Sequence, residues 1–479
     1  MRKYNFLLVM LVAILAISCS QSSSDTQVSN LGTKWHWDKG TIVIETPERP
    51  TGQTSVIGLK APKMEFVRVG FVGLGMRGPA AVERFTYIPG VEIVALCDYE
   101  KERAEECQKL LKKASMPEAT VYSGEKGYEE LCKRDDIDLV YIATDWLHHF
   151  PVAMCAMENG KHTAIEVPSA MSLKECWALI DMSEKTRKHC MILENCCYDW
   201  FEMNTLGKDD KLGWRLEYNM KHRGDVYATH GLGPVAQALN IHRGDRMKTL
   251  IAMDTKSVIG KDLVEKRTGE TCNDFRNGDH TTTLIRTENG KVIEIQHNVM
   301  TPQPYNRLYQ LTGTKGLTNK YPVEGYALDS NQMSASGMKP KVDNLTSHNF
   351  LPENEMKTLV EKYQHPILKK YGEMAKEVGG HGGMDFIMDS RLIYCLQNGL
   401  PLDMDVYDLA EWCCLAELGE LSMDNNCTSV AFPDFTRGEW NKIQGYKHAY
   451  ATQEEEANSM EKAKTFTKKL KEKNRNKLR

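Results

Sequence analysis

Residues 67–78 read Val67-Arg-Val-Gly-Phe-Val-Gly-Leu-Gly-Met-Arg-Gly78, and Asp98 ends the next apolar run. The order is that of a strand, a Gly-x-Gly-x-x-Gly turn, a helix start and an acidic residue 20 positions further on. The N-terminus of such a helix offers free N–H groups and the positive end of its dipole to a pyrophosphate. The stretch therefore predicts a dinucleotide-binding unit that opens a parallel sheet.

The residues of this segment have separate predicted roles. The first glycine lets the chain turn off the strand, the second lets the backbone approach the pyrophosphate, and the third lets helix and strand pack closely. The acidic residue can accept hydrogen bonds from the ribose hydroxyls, which favours NAD over NADP. The predicted cofactor contacts of this segment are Gly73, Gly75, Met76, Arg77, Gly78 and Asp98.

Composition sets bounds on the kind of protein. With 479 residues and 41% hydrophobic residues, the chain is long enough for two or three domains with their own cores. A net charge of −4 gives no reason to expect nucleic acid as a partner. The 14 cysteines include no pair with zinc-ligand spacing to histidines, so we expect mostly buried thiols and no metal site.

The N-terminus has the features of an export signal. Arg2 and Lys3 precede an apolar run over residues 6–17, which is short for a bilayer span, and Cys19 follows small residues as in a relaxed lipobox. We expect a lipoprotein signal peptide over residues 1–19, with Cys19 lipidated at the membrane of a bacterial cell envelope. Ordinary signal-peptidase cleavage is the alternative.

Alternating strand and helix patterns predict an α/β fold. Apolar runs at 67–72, 91–97, 139–143, 162–165 and 191–195 are typical of buried parallel strands, with helical patterns at about 76–86, 101–113, 151–159 and 172–187. Pro151 suits a first helical position, and Ser172 suits an N-cap. We predict a Rossmann-type doubly wound domain over residues 65–198, preceded by a tether and irregular extension over residues 20–64.

Residues 199–451 have a different pattern. Extended stretches at 279–286 and 292–300 are joined through Asn289 and Gly290, which is a hairpin signal, and strand, turn and strand follow at 307–317. This predicts an α+β domain with an open, mostly antiparallel sheet, a long loop over 325–350, and helices at 353–377 and 384–397. The charged tail from residue 452 is predicted to be solvated or disordered, or to assist at a membrane surface.

Further candidates lie where predicted strands end. Trp146 and His149 follow the strand predicted at 139–143: Trp146 either flanks the nicotinamide or packs in the core, and His149 could cap the next helix. Glu166 and Val167 follow the strand predicted at 162–165, and there the chain resembles the Gfo/Idh/MocA oxidoreductases. Those dehydrogenases commonly carry, at the position of Val167, a lysine that helps to move a proton. The valine side chain cannot do this.

Several further motifs resemble glycoside hydrolase family 109. They are Glu194-Asn-Cys-Cys-Tyr198, Gly213-Trp-Arg215, Tyr227-Ala-Thr-His-Gly-Leu-Gly-Pro234, Pro304-Tyr-x-Arg-x-Tyr309 and Gly379-Gly-His-Gly-Gly-Met-Asp385. The resemblance covers roughly residues 65–450 and implies an NAD-dependent α-N-acetylgalactosaminidase acting on a glycoside or the terminal sugar of a glycan. NAD-dependent glycosidases are exceptions to the two-carboxylate rule. Open-faced sheets of this superfamily often pair, which makes a homo-oligomer an open prediction.

The implied chemistry needs proton carriers. A tightly held NAD⁺ could take hydride from C3 of the sugar, which acidifies the proton on C2. A base then removes that proton, and the glycosidic oxygen leaves C1. Water adds at C1, C2 is reprotonated, and hydride returns to C3. Histidine and tyrosine can serve as acid or base. The resemblance implies catalytic roles for Tyr198, Tyr227, His230 and Tyr305, substrate contacts by Tyr227, His230, Tyr305, Tyr309 and His381, and cofactor contacts by Trp146, His149, Glu166, Val167, Asn195 and Arg215.

One interval departs from the family pattern. Asn195 and Arg215 are only 20 residues apart, whereas in the family this interval is longer and holds a long strand of the second sheet and a tyrosine that contacts the substrate. We expect a shortened substrate domain near residues 204–210. Two alternatives to the glycosidase stay open: a sugar dehydrogenase that consumes free NAD, and an inactive NAD-binding lipoprotein.

Overall fold

The computed structural model describes residues 26–198, 214–298, 300–302, 304, 306–337 and 349–477. Their strands are β1 (Gln27–Val28), β2 (Lys34–Asp38), β3 (Thr41–Val43), β4 (Val67–Val72), β5 (Val91–Asp98), β6 (Thr120–Ser123), β7 (Leu139–Ile142), β8 (His162–Ile165), β9 (Cys190–Ile192), β10 (Met247–Asp254), β11 (Thr281–Thr287), β12 (Val292–His297), β13 (Gln310–Gly313), β14 (Gly316–Asn319), β15 (Gly325–Leu328) and β16 (Ser429–Ala431).

The helices connect and cover these strands. They are α1 (Gly78–Phe85), α2 (Lys101–Lys113), α3 (Gly127–Cys132), α4 (Trp146–Glu158), α5 (Leu173–Thr186), α6 (Trp214–Lys221), α7 (Thr229–Ala238), α8 (Ile259–Thr268), α9 (Ser330–Ala335), α10 (Glu353–Tyr363), α11 (Pro366–Val378), α12 (Met384–Asn398), α13 (Val406–Cys413), α14 (Leu415–Asp424) and α15 (Gln453–Lys477). Short 3₁₀ turns lie at Asn195–Tyr198 and His381–Gly383.

The first sheet has the predicted doubly wound arrangement. Its six parallel strands lie in the order β6-β5-β4-β7-β8-β9, so the strand order reverses between β4 and β7. Residues of β4 and β7 are buried on both faces, and Phe71, Phe85 and Tyr141 pack their rings together beneath the glycine turn. Ligands bind at the carboxyl ends of the strands at such a reversal.

The second sheet is mixed and mostly antiparallel, as predicted. Its order is β1-β2-β3-β16-β10-β11-β12, and within the described part of this sheet only the β3–β16 pair is parallel. Strands β11 and β12 form the predicted hairpin, with Gly290 at a φ of 81° in its turn. Strands β13, β14 and β15 form a separate antiparallel sheet.

Two of the predicted helix starts had different outcomes. The prediction that Ser172 is an N-cap is confirmed, because its side chain accepts a hydrogen bond from Glu175 N at 3.3 Å. The prediction that Pro151 begins a helix is wrong, because α4 begins five residues earlier at Trp146. Asp145 caps that helix by accepting from Leu147 N at 3.0 Å, which also corrects the expectation that His149 is the cap.

The charged tail is mostly exposed, as predicted for a solvated segment, but the prediction missed that it forms a helix. Residues 453–477 form α15, which packs against α12 and β5. Phe466 stacks on Phe66 with ring centroids 4.3 Å apart, and Ala463 is fully buried. Near the helix end, the side chain of Asn474 donates to the carbonyl of Met116 at 2.6 Å.

Other irregular predictions also needed correction. Part of the 20–64 extension forms β1, β2 and β3, and the loop predicted over 325–350 includes β15 and α9 among its described residues. The helix predicted over 353–377 is two helices, because Pro366 begins α11 and interrupts the pattern.

The thirteen described cysteines are all free, most of them buried. Within the described ranges, no helix combines the length and apolarity needed to cross a membrane.

Candidate active site and cofactor cleft

A cleft of about 3390 Å³ lies where the carboxyl ends of β4, β5, β7 and β8 face the second half of the chain. Most described residues that the sequence singled out line this cleft. They are Gly73, Gly75, Met76, Arg77, Asp98, Trp146, His149, Glu166, Val167, Asn195, Tyr227, His230, Tyr309 and His381. Polar groups from both halves of the chain therefore converge on one concave surface.

The glycine turn leaves no room for larger residues. Gly73 has a φ of 90°, and a Cβ there would lie 2.4 Å from the backbone nitrogen of Thr144. A Cβ on Gly78 would lie 2.1 Å from the carbonyl oxygen of Gly73, so α1 and the end of β4 touch. This is the close approach that a pyrophosphate-binding turn requires, and the residues present fit a dinucleotide.

Asp98 lies at the end of β5 beside the turn and is buried. Its carboxylate accepts hydrogen bonds from Leu74 N at 2.6 Å and from Glu100 N at 3.0 Å. A carboxylate has about four acceptor positions, so these two backbone bonds fix its orientation and leave capacity for ribose hydroxyls. Asp98 lines the cleft, and its contact with a ribose stays a prediction.

Arg77 connects the glycine turn to both halves of the chain. Its guanidinium pairs with Glu166 Oε1 at 3.2 Å and with Asp385 Oδ1 at 3.2 Å. The same guanidinium lies 2.8 Å from Nδ1 of His381, whose ring also lies 3.3 Å from the Asn195 amide. The structure thus groups His381, which was predicted to bind substrate, with the predicted cofactor residues.

Asp385 is the buried centre of this network, and the sequence analysis did not select it. It accepts from Asn195 at 2.7 Å, lies 2.8 Å from His381 Nδ1, and pairs with Arg84 at 3.4 Å. Burial alone would raise its pKa, but His381, Arg84 and Arg77 together hold that pKa far below the usual value. Its place in the Gly379–Asp385 motif was the signal that could have identified it.

Trp146 joins the sheet edge to the predicted catalytic residues. The indole is buried at the start of α4, and its ring stacks on Tyr227 with centroids 5.7 Å apart and planes 14° apart. His149, one turn further along α4, is buried with its ring nitrogens near the carbonyl oxygens of Pro168 and Thr144, at 2.8 and 3.1 Å. Burial is the main reason that the pKa of His149 is lowered.

A chain of hydrogen bonds runs from the cleft into the core. The hydroxyl of Tyr227 lies 3.1 Å from Nε2 of His230, and Nδ1 of His230 lies 2.6 Å from Oε1 of Glu194. Tyr227 and His230 line the cleft, whereas Glu194 is fully buried behind them. The structure therefore brings together two predicted catalytic residues and adds a carboxylate that the sequence analysis did not select.

Cys196 and Arg307 lie beside this chain. Glu194, Cys196 and His230 offer ligand atoms within 4.8 Å of one another, a set that the sequence analysis did not foresee. Their present contacts are hydrogen bonds: Glu194 with His230, and Arg307 Nη1 with the sulfur of Cys196 at 2.8 Å. Glu194, Cys196, His230 and Arg307 therefore form a hydrogen-bonded cluster.

Tyr198 is not where its predicted catalytic role requires it. The side chain is buried, does not line the cleft, and donates to Asp403 Oδ2 at 2.9 Å. Asp403 is in turn held by Arg391 at 2.7 Å, so the tyrosine belongs to a buried network of the second half. Tyr309 does line the cleft, with its hydroxyl 3.4 Å from the carbonyl of Pro234.

Two predicted site residues cannot be placed in full. Tyr305 lies outside the described residues, as does most of the short interval between Asn195 and Arg215, including residues 204–210. Arg215 belongs to α6, but only its backbone is described. Their roles stay predictions.

The sheet order, the glycine turn and Asp98 together define an NAD-binding Rossmann domain. Residues 67–194 match the model of the oxidoreductase family with an NAD-binding Rossmann fold. Among solved structures, levoglucosan dehydrogenase in complex with NADH and L-sorbose is similar, with a TM-score of 0.55 and 16% identity over 77% of this chain and 100% of that one. An oxidoreductase domain protein from Kribbella flavida has a TM-score of 0.54 at 15% identity, over 77% and 100%. At such identities the likeness concerns the fold.

Residues 197–442 match the model of the glycosyl hydrolase 109 C-terminal domain. Glycosyl hydrolase family 109 protein 5 of Phocaeicola vulgatus is 74% identical over 98% of this chain and 97% of its own. Glycosyl hydrolase family 109 protein 1 of Bacteroides thetaiotaomicron is 58% identical over 86% and 93%. This chain belongs to glycosyl hydrolase family 109 and is an NAD-dependent glycoside hydrolase.

The relatives also bear on the length of the chain. The alignment with the 74% identical protein extends over 505 positions, more than the 479 residues of this chain. That relative therefore carries residues at internal positions where this chain has none.

Proposed function

We propose that this glycosidase removes terminal α-linked N-acetylgalactosamine from a small glycoside or a glycan in a redox-neutral cycle. One observation carries the proposal: the Tyr227 ring, hydrogen-bonded to His230, stacks on Trp146 at the carboxyl edge of the NAD-binding sheet. Proton-transfer groups and the cofactor cleft are thus adjacent. The preference for the α-anomer and the N-acetyl group follows from the family resemblance.

Bound NAD supplies hydride acceptance from C3 of the sugar and hydride return at the end of the cycle. The chain supplies the proton carriers. Tyr227 presents its hydroxyl to the cleft, and His230 Nε2 lies at 3.1 Å to take the proton that the hydroxyl releases. Val167 lies in the cleft next to Glu166 and carries no proton, which favours this pair over the lysine of the related dehydrogenases. Tyr305 and Tyr309 are the remaining proposed substrate contacts.

The decisive experiment is hydrolysis of an aryl α-N-acetylgalactosaminide in D₂O without added NAD. The proposal predicts aryl release with deuterium at C2 of the sugar product. Hydrolysis with no deuterium at C2 would exclude the mechanism, and net accumulation of NADH with a simple sugar would favour the dehydrogenase alternative.

The shortened interval gives a reason to consider an inactive NAD-binding protein as the second candidate. Its support is the greater length of the aligned relatives, together with the 20-residue spacing from Asn195 to Arg215. The matched comparison is this chain against a version that carries the Phocaeicola vulgatus relative's residues at that interval. Activity only in the extended version would favour the second candidate.

We propose further that the protein is exported and anchored at the cell envelope through a lipid on Cys19. The support is the basic, apolar and small-residue order of residues 2–19. Metabolic labelling with a fatty acid tests the proposal: the wild-type chain should be labelled and the Cys19→Ala variant should not.

A further inference from the structure

Glu194 is a buried carboxylate that the proposed reaction does not itself use. We infer that Glu194 is a positioning residue, whose carboxylate holds the His230 ring by Nδ1 and so directs Nε2 toward the hydroxyl of Tyr227. The inference deepens the proposed function, because it rests on the proton-transfer roles of Tyr227 and His230.

The backbone around Glu194 fixes the carboxylate. The residue follows β9 and precedes the 3₁₀ turn at Asn195–Tyr198, where Cys196 N donates to its Oε1 at 3.0 Å. On the opposite side, a Cβ on Gly233 of α7 would lie only 2.8 Å from Glu194 Cγ. The glycine in α7 therefore makes room for the carboxylate between the two elements, and the site is preorganised.

The hydrogen bonds assign the tautomer of the imidazole. An ionised carboxylate only accepts, so Nδ1 of His230 must donate the 2.6 Å bond to Glu194. The neutral ring then has an unprotonated Nε2, and this atom lies 3.1 Å from the Tyr227 hydroxyl. A proton released by the hydroxyl moves to Nε2, while the proton on Nδ1 stays shared with Glu194.

Surrounding groups keep Glu194 charged. Burial alone would raise its pKa, but His230, first of all, and Cys196 N–H lower it below the usual value. The nearby thiols add no second negative charge, since burial raises the pKa of the Cys413 thiol to about 12 and that of the Cys197 thiol well above its ordinary value. The negative charge is therefore available to the imidazolium that forms when His230 takes a proton.

The test compares Glu194→Gln with a matched variant, Glu411→Gln. Glu411 also pairs with a buried histidine, with Oε2 3.3 Å from Nε2 of His242, but this pair does not line the cleft. For Glu194→Gln we expect kcat to fall about 100-fold with KM within about twofold and NAD content unchanged. Glu411→Gln should leave kcat within about twofold, and Glu194→Asp should recover part of the loss. A loss shown equally by both glutamine variants, or a kcat unchanged in Glu194→Gln, would overturn the inference.

A second measurement does not depend on turnover. In ¹⁵N-histidine-labelled protein, the His230 Nδ1–H proton, assigned by its loss in His230→Asn, should resonate far downfield and move upfield in Glu194→Gln. No such shift would overturn the inference even if the enzyme is active. Failure of the proposed function gives a different result: a wild type that releases no sugar, or Tyr227→Phe and His230→Asn variants with full activity.

Discussion

At the scale of single residues, the cleft separates groups that are predicted to hold the cofactor from groups that are proposed to move protons. Arg77, Asp98 and Asp385 are locked by ion pairs or by backbone hydrogen bonds. Tyr227 and His230 are only partly buried and present polar atoms to the cleft. The first group suits a cofactor that is retained, and the second suits a substrate that enters and leaves.

Tyr227→Phe tests the proton-transfer role directly. The variant keeps the ring that stacks on Trp146 but loses the hydroxyl that contacts His230. We expect kcat to fall by about 10²–10⁴-fold, the usual range for a group that transfers a proton, with bound NAD unchanged. Tyr371→Phe, outside the cleft, is the control and should keep wild-type kcat. Equal activity of the two variants would remove Tyr227 from the mechanism.

Asp389 gives a prediction about pH and stability. Burial is the main reason that its pKa is raised to about 7, and the charges of Asp385 and Glu166 add to the rise. Arg84, which lies 2.7 Å from Asp389 and 3.4 Å from Asp385, opposes the rise without cancelling it. An unfolded aspartate titrates near about 3.9, so between these values the folded state holds a proton that the unfolded state lacks. Stability should therefore fall as pH rises through this window, by at most about 1.4 kcal/mol per pH unit.

Asp389→Asn should remove this contribution. The amide oxygen can still accept the Arg84 hydrogen bond, and it cannot ionise. Denaturant unfolding of both proteins at pH 4.5, 5.5 and 6.5 checks the result. A parallel pH dependence in wild type and variant would contradict the raised pKa.

At the scale of elements, α12 attaches the second half of the chain to the glycine turn. Asp385 lies in its first turn and contacts Arg77, Arg84 and Asn195. In this fold the cofactor binds at the carboxyl end of the parallel sheet. Here α12, which lies outside that sheet, supplies the Asp385 carboxylate that pairs with the positive charges of Arg77 and Arg84.

Asp385→Asn should therefore loosen the cofactor. Loss of the charge leaves the buried guanidinium of Arg84 and the partly exposed guanidinium of Arg77 less well compensated, at a cost of about 3 kcal/mol in the free energy of unfolding. We expect bound NAD per protein, measured in the supernatant after denaturation, to fall below the wild-type value after dialysis. Asp424→Asn, which removes an exposed ion pair with Arg223 and Arg276, should keep its NAD. NAD content unchanged in Asp385→Asn would contradict the role of α12.

The helices and strands also show which features could be predicted from the sequence and which could not. The strands of the first sheet could be predicted because they are continuous apolar runs, but β6 was missed since Thr120–Ser123 is a partly exposed edge strand without such a run. The start of α4 was misplaced because a proline pattern outweighed the Asp145 cap. Glu194 escaped prediction because its partner His230 comes from α7, and no spacing along the chain reveals that contact.

At the scale of the whole molecule, α15 returns the end of the chain to the NAD-binding half. Its mean composition is strongly charged, yet Ala463, Phe466 and Leu470 are buried or half-buried along one side. Thr467 accepts a hydrogen bond from Gly90 N at 2.9 Å, just before β5. Composition alone could not reveal this packing, since only every third or fourth residue contacts the sheet domain.

Phe466→Ala tests whether α15 stabilises that half. The change removes the ring that stacks on Phe66 at 4.3 Å, and a loss of about 1–3 kcal/mol in the free energy of unfolding is expected for a half-buried ring. Lys468→Ala, on the exposed side of the same helix, should change stability by less than about 0.5 kcal/mol. Thermal denaturation of the two variants decides, and equal melting temperatures would show that the tail contributes nothing.

The pairing of β3 with β16 has a consequence for biosynthesis. Ile42 and Val430 are register partners in this parallel pair, so a strand made among the first tenth of the chain waits for one made near its end. Until the ribosome has released nearly the complete polypeptide, β3 has no neighbour on that side, and contacts of such long range form slowly. A chain interrupted before residue 429 would expose that edge, and quality-control proteases would meet an unfinished sheet beside a nucleotide domain whose six strands were already made.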